Sequence, residues 1–215
     1  MSIHISPSMA AAPMDRLGQV ILELEKAGAD SIHFDIEDGS FVPVMTLGTR
    51  IIRDLRPLTR LPFDVHLMMV TPEWILPELV AHGANRISVH YEACPYPRRV
   101  LRQIVSLGAQ AGIAFNPATP LPDLKYLSPY LSFVVILTTE PEIPDCPFLP
   151  EVLDKVREGR QVQGQEGIEW VVDGGVTAEN LSHIVEAGAD TVVVGRAVFN
   201  EGKIFENMAA LRAAA

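Results

Sequence analysis

Cysteine is scarce. Only Cys94 and Cys146 occur in 215 residues, which makes no disulfide framework and suits a reducing cytoplasm. Basic residues are also in deficit. Seventeen Lys and Arg stand against 27 Asp and Glu, for a formal net charge of -10, and this argues against a nucleic-acid surface. A small phosphorylated ligand is still compatible, because it needs only a local cradle of donors. No stretch approaches the roughly 18 uninterrupted apolar residues of a membrane span. The N-terminus has no basic segment leading into an apolar run, so a secretory leader is not expected. No Gly-x-Gly-x-x-Gly follows a strand pattern, which removes the best support for an open doubly wound sheet.

Apolar residues are plentiful, at 48% of the chain, enough for a large core. Short β-type runs alternate with helical stretches throughout. The strands read as 3–6, 31–36, 63–67, 86–90, 111–115, 133–137, 168–172 and 191–194. Helical patterns such as "RLGQVILELEKAG" and "AENLSHIVEAG" end in Gly at a C-cap position. About eight strand–helix alternations at spacings of roughly 20 to 30 residues predict parallel β/α units closing a (β/α)8 barrel. The expectation is one domain over residues 1–215, with no linker and no low-complexity segment. The least regular stretch is Thr138 to Pro150, where four prolines forbid regular structure.

In such a barrel the chemistry sits at the C-terminal ends of the strands. The stretch Ser31-Ile32-His33-Phe34-Asp35-Ile36-Glu37-Asp38-Gly39 aims His33 and Asp35 at one face and Ile32, Phe34 and Ile36 at the other. Strand three ends with His66 and strand seven with Asp173. Two imidazoles and two carboxylates from three strands can converge on the barrel axis. They form a donor set for one divalent cation: Zn²⁺, Fe²⁺, Mn²⁺ or Co²⁺. A lone strand histidine is more often a satisfied core or surface residue than a ligand, and Asp38-Gly39 is also a common turn. The joint pattern is what singles out the cluster. His4, His82 and His183 read as surface positions, and His90 and Glu92 as supports near the site. Neither cysteine has a base partner, so a thiol nucleophile is not expected.

The segments "ISPSM", "HFDIEDGSFVPVMTLG", "DVHLMMVTPE", "VHYEA", "FNPATPL", "VDGGVT" and "GADTVVVGRAVF" follow in order over nearly the whole chain. They resemble the ribulose-phosphate 3-epimerase family. That resemblance implies a (β/α)8 barrel with one divalent metal held by His33, Asp35, His66 and Asp173. It implies epimerisation at C3 of a phosphorylated ketose, of the ribulose 5-phosphate and xylulose 5-phosphate type, through an enediolate. Asp35 and Asp173 would then be the catalytic acid/base pair, one on each face of the substrate. Ser8 and Met68 would meet the substrate, and the backbone amides of Gly174, Gly175, Gly195 and Arg196 could cradle its phosphate. The resemblance also implies a cytoplasmic homo-oligomer, dimer or hexamer, with a sugar phosphate as its small-molecule partner.

The chain departs from the family pattern in three places. Glu37 stands where the family usually has methionine. It could bind a substrate hydroxyl, approach the metal or face solvent. The glycine-rich loop after strand six is replaced by a segment carrying Glu140, Glu142 and Asp145 and three prolines. A methionine near that strand end gives way to Leu137 or Thr138. Finally, Gly195-Arg196 replaces Gly-Ser. Arg196 has two readings, a cation at a phosphate site or a surface partner of Asp190 or Glu201. The alternatives to the epimerase are a barrel with altered substrate or a non-catalytic sensing role, and a related phosphate-binding lyase or decarboxylase. The last uses an Asp-x-Lys-x-x-Asp run, and Asp35-Ile36-Glu37 has no lysine.

Overall fold

The computed structural model describes residues 3–141, 146–162 and 167–215. Eight parallel strands form one sheet in the order β1-β8-β7-β6-β5-β4-β3-β2. The strands are β1 (His4–Pro7), β2 (Ile32–Glu37), β3 (Phe63–Met68), β4 (Arg86–His90), β5 (Gln110–Phe115), β6 (Phe133–Leu137), β7 (Glu169–Asp173) and β8 (Thr191–Val194). Each lies within one residue of its sequence-predicted bounds. The first and last strands of that order close on each other. Ser8 bridges His33 in parallel, and Asp30 N–H donates to the Ile5 carbonyl at 3.1 Å. Asp30 also accepts from Ile5 N–H at 2.7 Å through its carboxylate. The sheet is therefore a barrel.

The helices that wrap it include α1 (Leu17–Lys26), α2 (Thr49–Leu55), α3 (Leu76–Ala81), α4 (Pro97–Ser106), α5 (Asp154–Gln161), α6 (Leu181–Glu186), α7 (Arg196–Phe199) and α8 (Ile204–Ala214). Between β5 and β6 the only helical piece is a 3₁₀ turn, Leu124–Tyr126, capped by the Asp123 side chain. Pro117, Pro120 and Pro122 precede it, and each removes a backbone donor that a helix would need. The alternation of strand and helix is thus less regular than the sequence period suggests.

Strand alternation sorts the side chains into two apolar groups. Phe34, Phe63, Trp170 and most other core residues pack between strands and helices. A smaller set, Ala114, Phe133, Val135, Leu137, Val171 and Val193, packs within the barrel. The interior residues of β2, β3 and β4 are instead polar: His33, Asp35, Asp64, His66, Ser88 and His90 are all buried. Gly112 makes room for Phe133, whose ring would lie 2.3 Å from a Cβ added there. The apolar side fills the barrel, and the polar side stands free to build a site. No helix among the described residues is long and apolar enough to cross a membrane.

Candidate active site and metal centre

Register brings the first pairs together. On β2 and β3, His33 is level with Asp64 and Asp35 with His66. Because the strands are adjacent and the pleat has a period of two, all four side chains enter the barrel. Asp173 comes from the end of β7 on the far side. One atom each of His33, Asp35, His66 and Asp173 falls within 4.8 Å of all the others. His33 Nε2 lies 3.1 Å from Asp35 Oδ1 and 3.8 Å from Asp173 Oδ2. His66 Nδ1 lies 3.5 Å from Asp35 Oδ1 and 3.6 Å from Asp173 Oδ2.

This set fits a divalent cation. Ligand atoms about 2.1 Å from a tetrahedral metal stand ~3.4 Å from one another, inside the observed spread. His66 Nδ1 is buried and has no hydrogen-bond partner, although it points at two carboxylates. Charge tells the same story. Burial opposes charge on His66, but Asp173 and Asp35 hold its pKa up at about 9. Burial opposes charge on His33 too, and Asp35 and Asp64 still raise it well above its ordinary value. Burial would raise the Asp35 pKa, yet the two imidazoles hold it far below the usual carboxylate range. The carboxylates call for positive charge at this point, supplied by protons or by a metal that displaces them.

Each buried group has a support. His33 Nδ1 donates to Asp64 Oδ2 at 3.1 Å, so in the neutral ring it is Nε2 that offers its lone pair to the cluster. Ser8 donates to Asp35 Oδ2 at 2.7 Å. His66 Nε2 meets His90 Nε2 at 2.9 Å, and His90 Nδ1 meets Glu92 Oε2 at 3.1 Å. Asp64 went unnoticed in the sequence reading. It precedes His66 by two residues, the same spacing as His33 and Asp35, and that was the available signal.

A cavity of about 650 Å³ opens above the cluster. Ser8, Met68, Gly174, Gly175, Gly195 and Arg196 all line it, as do Asp35, His66 and Asp173. Leu137 is in the same wall. Glu37 is not. It is 4% exposed, so it does not face solvent. Its Oε2 accepts from the Thr46 backbone N–H, while Oε1 is buried without a partner. Burial pushes its pKa up. Glu37 therefore holds the 38–48 loop from beneath. Asp38 does the same from the side, accepting from the N–H groups of Ser40, Phe41 and Val70 at 2.8 Å each.

Asp190 pairs with Arg160 and Glu201 with Lys203. Of the acids on the loop after β6, Glu140 lines the cavity. Glu142 and Asp145 lie outside the described residues. Cys146 is half-buried in the cavity wall. Cys94 is buried, and burial, with Glu73 and Glu92 nearby, pushes its thiol up to about 12.

Residues 4–199 match the profile described as the ribulose-phosphate 3 epimerase family. The chain is 42% identical to a Synechocystis ribulose-phosphate 3-epimerase, across 98% of this chain and 94% of that one. It is 38% identical to the Bacillus subtilis ribulose-phosphate 3-epimerase over 93% of both chains, and 39% identical to that of Escherichia coli K12 over 92% and 89%. Among solved structures, a tryptophan synthase complex chain from Pyrococcus furiosus superimposes with a TM-score of 0.71 at 18% identity, covering 99% of this chain and all of that one. A Pyrococcus furiosus thiamine phosphate pyrophosphorylase gives 0.67 at 17%, over 99% and 94%. At such identities these structures are similar in fold alone.

Proposed function

The chain belongs to the ribulose-phosphate 3-epimerase family, and from that premise we propose that it interconverts ribulose 5-phosphate and xylulose 5-phosphate by inverting C3. The observation that carries this reading is the convergence of Asp35 and Asp173, from β2 and β7, on one polar cluster beneath the cavity. One carboxylate takes the proton from C3. The electron pair moves into the C2–C3 bond and charge passes to the ketone oxygen, giving an enediolate. The other carboxylate delivers a proton to C3 from the opposite face. After one turnover the two aspartates have exchanged protonation states, so the reverse reaction uses the same pair in reverse order.

His33, Asp35, His66 and Asp173 would hold one divalent cation, and two nitrogens with two carboxylate oxygens suit Zn²⁺, Fe²⁺, Mn²⁺ or Co²⁺. When bound, that cation supplies Lewis-acid stabilisation of the developing oxyanion. Ser8 keeps one Asp35 oxygen oriented. Met68 and Leu137 give the intermediate an apolar wall that excludes water.

The phosphate is assigned to Gly174, Gly175, Gly195 and Arg196. Gly174 and Gly175 take φ of +109° and +65°, values that favour glycine, and without side chains their backbone can approach an anion closely. Glu140 at the loop after β6 disfavours an anion on that side. Homo-oligomerisation, as a dimer or hexamer, is part of the same proposal and rests on the family alone. The lyase reading has no lysine at position 37. The test is NMR observation of purified protein with ribulose 5-phosphate. Appearance of xylulose 5-phosphate is expected, and its absence with a full complement of metal overturns the assignment.

A further inference from the structure

His66 presents two nitrogens to two different surroundings. Nδ1 faces Asp35 and Asp173. Nε2 faces the Nε2 of His90 at 2.9 Å. The rings are tilted by only 23°, with centroids 4.9 Å apart, and the 2.9 Å between the two nitrogens is a hydrogen-bond distance. Both are fully buried. A cation on His66 Nδ1 takes the place of a proton there; both imidazoles are then neutral, the contact holds one hydrogen, and something must decide which ring carries it.

The deciding group is Glu92. A carboxylate only accepts, so its Oε2, 3.1 Å from His90 Nδ1, requires the hydrogen of His90 to sit on Nδ1. His90 Nε2 is then bare and must accept, so His66 carries its hydrogen on Nε2. In that neutral form His66 Nδ1 is a bare lone pair facing the cluster. Glu92 cannot easily turn away. Its Oε1 accepts from Asn116 N–H at 2.8 Å and from the Thr119 hydroxyl. Lys155 Nζ in turn fixes that loop through the carbonyls of Asn116 and Pro117, at 2.9 and 2.7 Å. Phe41 packs on the His90 ring with centroids 4.4 Å apart.

We propose that Glu92 and His90 are positioning residues that dictate the tautomer of His66, keeping the nitrogen that faces Asp35 and Asp173 free of hydrogen and ready for a divalent cation. His33 reaches the same end by a shorter route, directly through Asp64. This inference rests on the metal-site reading above. It adds that the β4 end and the 116–119 loop, neither of which supplies a ligand, set the affinity of the centre.

Glu92→Gln is the informative variant because it reverses the relay. Asn116 N–H still demands the side-chain oxygen, so the new amide NH₂ faces His90 Nδ1. His90 must then accept there and carry its hydrogen on Nε2. That hydrogen displaces the one on His66 to Nδ1, where it blocks the cation. Glu92→Ala removes the instruction without reversing it. Zn²⁺ and Co²⁺ affinities of metal-stripped protein, measured by chelator competition, should fall about 10- to 100-fold in Glu92→Gln and less in Glu92→Ala. A merely structural role would give the opposite order, since alanine leaves the larger hole; thermal unfolding of the metal-free variants reads that effect separately. Wild-type affinity in Glu92→Gln, or a greater loss in Glu92→Ala, overturns the relay while leaving the metal site standing. Failure of the wild type to take up either ion overturns both.

Discussion

Ser8 donates its hydroxyl to Asp35 Oδ2 at 2.7 Å, and this bond spans the seam where the barrel closes. Ser8 directly follows β1 and Asp35 lies on β2, and these two are the end strands of the sheet order. Closure and site assembly are therefore one event. The bond leaves Asp35 Oδ1 toward His33 and His66, dividing the carboxylate's two oxygens between the scaffold and the cluster.

Ser8→Ala should lower kcat for epimerisation about tenfold, the equivalent of one hydrogen bond of ~1.4 kcal/mol. Asp35 keeps its contacts with His33 and His66, so metal content should stay the same. Steady-state kinetics with elemental analysis checks this. Loss of metal together with activity would mean that Ser8 holds the ligand set together instead.

Removing the metal tests the centre directly. Chelator-treated protein should lose activity and regain it with Zn²⁺, Mn²⁺, Fe²⁺ or Co²⁺ at about one ion per chain. Its melting temperature should rise on reloading, since ligands that bind only the folded state stabilise it. Asp173→Asn should weaken that rise. Elemental analysis showing no retained ion, together with no thermal shift, would refute the site.

Asp35→Asn and Asp173→Asn should each abolish exchange of the substrate C3 proton with solvent, followed as deuterium wash-in by NMR. Each removes the acid/base on one face. Wild-type exchange in Asp173→Asn would refute the two-carboxylate mechanism.

The strands were legible because their interior residues alternate with apolar ones, and in β2 and β3 that alternation also marked the cluster. His33 and Asp35 could be read together because they are two residues apart. Asp64 and His66 have the same spacing, but that spacing does not say whether a carboxylate is a member of the cluster or the support of a neighbouring histidine, as Asp64 is. The 115–131 connection contained a warning in its prolines that the eightfold period concealed. Glu37 was misleading for a physical reason. Two residues from Asp35 on the same strand, it shares that residue's barrel-facing side, but it lies at the strand's end, where Thr46 N–H from the following loop donates to its carboxylate. Partners from distant loops, such as Asn116 and Thr119 on Glu92, are set by tertiary packing that local pattern does not encode.

The thiols should differ sharply. With its pKa near 12 and its side chain buried, Cys94 should stay unlabelled by an aromatic disulfide reagent from about pH 8 to about pH 10, because the thiolate is the reactive form. Cys146 should react in the folded protein, and saturating ribulose 5-phosphate should slow it, because it shares the cavity wall. Thiol counting with and without denaturant checks both points. Two fast thiols in native protein would contradict the burial of Cys94.

The proposed phosphate position is tested at Arg196. This residue stands at the start of α7, after the N-cap residue Gly195, and lines the cavity with Gly174 and Gly175. Across the same cavity, Glu140 and Pro141 occupy the loop after β6, where proline removes an amide donor and the acid repels an anion. A dianion should therefore settle toward β7 and β8. A charge-assisted contact contributes about 1.5 to 3 kcal/mol. Arg196→Ala should therefore raise KM for ribulose 5-phosphate roughly 10- to 100-fold. Metal content and the deuterium exchange chemistry should persist at saturating substrate. Arg196→Lys should recover part of the loss, because lysine keeps the charge but not the planar fork. An unchanged KM in Arg196→Ala would place the phosphate elsewhere and leave Arg196 as part of the scaffold.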